Sequence, residues 1–161
     1  MIARSAAVVA AFIALAAAGA CLRGGEEGAA GPRAAAEDLL ALHGLVGRQP
    51  ESLTEEERSA PVDRGAVAQL VSDLGAYDEF TGDLYVGFVV GALATQQGRW
   101  TTSMDGDRAV VAAGQARIAF TRRGGAWKID LAASVPDPIK KKAAEEKLRY
   151  EDAKAAGQAL R

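Results

Sequence analysis

From Arg99 onward the chain counts in twos. Trp100, Thr102 and Met104 alternate with Arg99, Thr101 and Ser103, and Trp127, Ile129 and Leu131 alternate with Ala126, Lys128 and Asp130. A period of two sends successive side chains to opposite faces of a strand, so this region is expected to form a sheet with one face buried. Glycine signals divide it. Asp105-Gly106-Asp107 is a strong hairpin turn. Ala109, Val111 and Ala113 face inward before Gly114, and Ala116, Ile118 and Phe120 after it, so the parity slips by one residue there. A bulge in one long bent strand accounts for the slip, and so do two separate strands. A Gly124-Gly125 turn sets Phe120 opposite Ile129 and Ile118 opposite Leu131, whereas a four-residue loop sets Phe120 opposite Trp127. Either keeps apolar against apolar, as register requires.

Upstream the period is helical. Leu39, Leu42, Leu45 and Val46 line one face of a helix over 34–46, with Gly47 as its stop. Two overlapping capping boxes follow, Ser52 with Glu55 and Thr54 with Glu57. Pro61 is expected to end that short helix and enter the first turn of the next, which buries Val62, Val67, Leu70, Val71 and Leu74 and stops at Gly75. The stretch 82–98 is ambiguous: Asp83 as N-cap and Gly98 as stop favour a helix, while valines, aromatics and internal glycines favour a strand. The helix is preferred, and Gly87 and Gly91 then form a notch suited to close backbone packing. Pro136 and Pro138 end the sheet. The last segment, 139–161, reads as an exposed charged helix whose thin apolar face centres on Leu148.

The amino terminus carries an address. Arg4, an uncharged apolar run from Ala6 to Ala20 and small residues before Cys21 have the form of an export signal. Ala18-Gly19-Ala20 fits ordinary secretory cleavage, and Ala18-Gly19-Ala20-Cys21 resembles a bacterial lipobox. Cys21 is the sole cysteine, so no disulfide claims it, and lipidation at Cys21 is the favoured use. The expected product is exported and membrane-anchored, facing the periplasm or the outside of the cell. Residues 22–33 form a flexible tether, 34–138 one domain, and 139–161 the terminal helix. The chain from Cys21 carries 18 basic residues (19 less Arg4) against 21 acidic ones, a net charge of −3. That balance argues against a nucleic-acid partner.

The runs Asp105-Gly106-Asp107-Arg108-Ala109-Val110-Val111 and Ala116 to Leu131, with Gly125-Ala126-Trp127-Lys128-Ile129, resemble the last strands of the nuclear transport factor two-like superfamily. The resemblance implies an α+β fold: amino-terminal helices packed on a bent antiparallel β-meander, then a carboxy-terminal helix. It also implies a cone enclosing a pocket, used by some members for isomerase or cyclase chemistry and by many for binding or assembly alone.

Candidate site residues are few. His43, the only histidine, has the chemistry of a general base but lacks neighbours at metal-ligand spacing. Asp83 and Tyr85 are the other weak catalytic candidates, within a polar-aromatic patch that includes Tyr77, Asp78 and Glu79. Tyr85, Trp100, Phe120 and Trp127 are candidate ligand-binding residues. Asp105 and Asp107 offer too few oxygens for calcium; no metal or cofactor is expected. The reading is a non-enzymatic envelope module for a small apolar ligand or a protein partner. An isomerase- or cyclase-type enzyme and a scaffold docking through its terminal helix are the alternatives.

Overall fold

The computed structural model describes residues 31–159. The expected export signal and the expected lipidation site Cys21 lie outside them. Four helices come first: α1 (Pro32–Leu42), α2 (Glu55–Ser59), α3 (Arg64–Leu70) and α4 (Glu79–Thr95). The strands β1 (Thr101–Asp105), β2 (Arg108–Ala113), β3 (Ala116–Arg123) and β4 (Ala126–Asp130) form an antiparallel sheet in sequence order. A short α5 (Leu131–Ser134) and a long α6 (Asp137–Ala159) complete the chain. The fold is α+β, with the helices first and the meander after.

Three two-residue turns build the meander. Asp105 pairs with Arg108, Ala113 with Ala116 and Arg123 with Ala126, and each loop opens on a glycine at positive φ: Gly106 (57°), Gly114 (63°) and Gly124 (59°). Gly125 is also positive, at 81°, and two successive positive φ values make a type I′ turn, whose twist matches that of the strands it joins. The slip at Gly114 therefore marks two strands, not a bulge. Phe120 faces Ile129, as the two-residue turn requires. The expected Ile118–Leu131 pair does not form, because the sheet stops at Asp130, ahead of both prolines. The Asp130 carboxylate accepts the Ala133 N–H at 3.0 Å and starts α5.

The inward residues Val111, Ile118 and Ile129 are fully buried and Phe120 is nearly so; they meet Leu39 and Leu40 of α1 and Val89 and Leu93 of α4. Leu131 and Val135 carry that core past the end of β4. Ser134 continues the polar ladder: its Oγ accepts the Ala119 N–H at 2.9 Å.

Several helical boundaries differ from those expected. The first helix begins at Pro32, inside the expected tether, and ends at Leu42. Leu45 N–H bonds to Leu40 O and Gly44 N–H to Ala41 O, with Gly44 at φ 66°, which is the Schellman closure. Val46, expected inside, is 56% exposed. Of the two capping boxes only Thr54–Glu57 forms; the Ser52 hydroxyl instead donates to Gln49 O. Pro61 precedes α3 without entering it, since Asp63 is the N-cap and accepts from Gly65 and Ala66 N–H. Val62 is exposed. Val71 leaves the helix and forms a parallel bridge to Ile129, while Leu74 sits in a single 3-10 turn.

The ambiguous stretch is helical, but its N-cap is Asp78, not Asp83: Asp78 accepts the Thr81 N–H at 3.0 Å. The Gly87–Gly91 notch is not filled. A Cβ added at either would meet nothing within 4 Å, so these glycines face open space instead of a packed backbone. In α6 Leu148 points outward, 62% exposed, and the buried contact comes from Ala143.

Candidate functional site

A cleft of about 380 Å³ runs beside α4. Its apolar lining is the buried Val67, Leu74 and Val86 with the exposed Pro61, Val62 and Gly87; His43, Arg64, Glu79 and Asp83 supply the polar groups. Each is positioned by a local device. The Schellman turn leaves His43 at the C-cap of α1, where its Nδ1 lies 2.9 Å from Leu39 O. A carbonyl only accepts, so Nδ1 carries the proton and the neutral ring's Nε2 is the acceptor. Asp63 caps α3 and sets Arg64 at its first position, from which the guanidinium reaches the Asp83 carboxylate on α4.

Arg64 and Asp83 are both solvent-accessible, at 38% and 64% side-chain exposure. Such a pair is worth at most about 1 kcal/mol. At Gly87 an added Cβ would meet nothing within 4 Å, so the cleft is open there. A second, more open groove of about 420 Å³ adjoins it at Gly87 and continues past Phe88, Gly91 and Ala92 to the Gly114 hairpin.

The expected site residues divide between cleft and core. His43 and Asp83 line the cleft together. Tyr85 does not: it is buried, packed edge-on against Tyr77 with ring centroids 5.0 Å apart, and burial raises its phenol above the usual range. Tyr77 is pushed up to about 12, first by burial and then by the Asp73 charge that accepts its hydroxyl. Trp100, Phe120 and Trp127 are core residues and line neither cavity; Trp100 Nε1 donates to Leu93 O at 3.1 Å. Of the polar-aromatic patch, Glu79 and Asp83 line the cleft, while Tyr77 and Tyr85 pack against each other outside its lining.

Arg64 was not singled out in the sequence. Its partner lies 19 residues away, and no local pattern links the two. Asp73 is likewise silent there, yet its two carboxylate oxygens accept the Leu131 and Ala132 N–H groups, both at 2.9 Å, and hold the start of α5. Among the described residues no group of three His, Cys, Asp or Glu side chains is placed to hold a metal ion, and no helix is long and apolar enough to cross a membrane.

The site belongs to an α+β protein with an amphipathic helical cleft. Comparison with protein-family models, with curated proteins and with solved structures gives no match.

Proposed function

We propose that the chain is an exported envelope protein, lipid-anchored at Cys21, whose folded part binds an apolar ligand or an apolar protein segment without transforming it. The observation that carries the binding role is the cleft beside α4: an apolar wall of small-molecule size with a few polar groups at its edge, the usual composition of a ligand site. A relationship to the nuclear transport factor two-like superfamily belongs to the same proposal, supported by the order of helices and meander. In this reading the ligand uses the helical cleft, because the inward face of the sheet is filled by its own core. The enzymatic alternative draws on one observation, that His43 and Asp83 share the cleft; against it, Asp83 is tied to Arg64 and one nitrogen of His43 to Leu39 O.

Anilinonaphthalene sulfonate, an apolar dye with one negative charge, tests the cleft. Saturable fluorescence enhancement is expected, and Gly87→Trp, which fills the cleft from an open helical position, abolishes it. Binding that survives Gly87→Trp refutes the assignment. Intact-mass measurement of membrane-fractionated protein tests the anchor: a diacylglyceryl-sized increment on the peptide beginning at Cys21 is expected.

A further inference from the structure

The two edges of the sheet are treated differently. Along β4, Val71 forms a parallel bridge and both the Ser72 N–H and hydroxyl donate to Ile129 O, at 2.8 and 3.1 Å. Along β1 nothing comparable exists among the described residues. All five β1 residues are exposed. Within Thr101–Asp105 there is no proline, no lysine and no bulge, the usual devices that blunt an edge.

The hairpin geometry says which backbone groups are free. Asp105 and Arg108 flank a two-residue turn, so they exchange hydrogen bonds, and alternate residues then do the same. Asp105, Ser103 and Thr101 turn their amides and carbonyls toward β2, while Thr102 and Met104 turn theirs outward. Met104 also shares the face of buried Ala109, its pairing partner, yet is itself 61% exposed. The core-facing side of β1 thus runs past the helices that cover the rest of the sheet.

We infer that β1 is a self-association edge: two copies pair their β1 strands antiparallel about a two-fold axis through Ser103, joining two sheets into one. Centring on Ser103 is the register in which all five residues of each strand find a partner. Thr102 then exchanges both backbone bonds with Met104 of the second copy, and Met104 with its Thr102, so every outward group of the strand is satisfied. The strand's only charge, Asp105, faces Thr101. Within this register no like charges are directly opposed across the two strands, an arrangement that would be destabilising. A symmetric interface of this kind is self-complementary, as a two-fold demands. The inference does not rest on the cleft or on the lipid anchor.

The test uses the full chain carrying Cys21→Ser. Sedimentation velocity at about 100 µM protein is expected to give a species of twice the 16.7 kDa chain mass. Thr102→Pro removes an outward amide without breaking a ladder bond and is expected to give monomer with an unchanged circular dichroism spectrum. Thr102→Val keeps the amide and stays dimeric. Ser103→Cys sets two thiols face to face at a non-hydrogen-bonded pair, where Cα atoms approach to about 4.5 Å, within disulfide reach; oxidation is expected to give a covalent dimer. A monomeric Cys21→Ser protein overturns the inference, as does an oligomer that Thr102→Pro leaves intact or a Ser103→Cys protein that does not cross-link.

Discussion

At the scale of single residues, Gln97 does more structural work than its type advertises. Its Nε2 donates to Leu45 O and Arg48 O, both at 2.7 Å, and its Oε1 accepts the Gly47 N–H at 2.7 Å. One side chain thereby fastens the loop after α1 to the end of α4. Gln97→Ala leaves that loop's polar groups without partners in a half-buried setting, and is expected to cost about 2 kcal/mol. The check is urea unfolding: the midpoint falls while the slope stays constant, since the surface exposed on unfolding is unchanged. Nothing in the sequence marks this glutamine, because its partners are backbone groups some fifty positions earlier. Phe120 and Ile129 are the opposite case. Their alternation and the glycine pair between them narrowed the pairing to two registers, Ile129 or Trp127 opposite Phe120, and the two-residue turn selects Ile129.

Elements were legible wherever one periodicity held and a cap agreed with it, and misread where one pattern served two purposes. Val67, Leu70, Val71 and Leu74 have helical spacing, but α3 ends at Leu70 because Val71 is drawn into the bridge with Ile129. The helix α4 is apolar on nearly every side, so its pattern did not tell which flank is covered and which lines the clefts. The terminal helix α6 is held partly by charge: Lys147 Nζ lies 3.0 Å from the Asp78 carboxylate, and Phe80 stacks on Tyr150 at 5.4 Å. The Thr81 backbone amide, then Lys147, hold the Asp78 carboxyl down at about 2, from an ordinary 3.8. Because the folded pKa is the lower one, its contribution is complete above the unfolded value and is lost as pH falls from about 4 toward 2. Asp78→Asn keeps an N-cap oxygen but removes the charge. The variant's unfolding midpoint is therefore expected to fall less steeply than that of the unsubstituted protein across that pH range. Equal slopes would mean that the pair does not hold α6 in place.

For the whole molecule, stability is set by how the core is distributed. The fully buried residues come from α1, α4, the strands β2, β3 and β4, and α5, whereas α2 buries none. β1 adds backbone pairing but no buried side chain. Local opening follows the number of buried apolar contacts that must break. Amide hydrogen exchange is therefore expected to be slowest in β3, β4 and α4, and fastest in α2 and in α6 beyond Ala143. Arg48–Glu57 joins α2 to the preceding loop, with the Glu57 carboxyl held down at about 2 chiefly by Arg48, but an exposed pair adds little against opening. Exchange in α2 as slow as in α4 would contradict this distribution. Fast exchange there bears on the cleft, because Pro61 and Val62, which line it, follow the Ala60 cap of α2. A weakly held α2 therefore lets that side of the cleft move without disturbing the core.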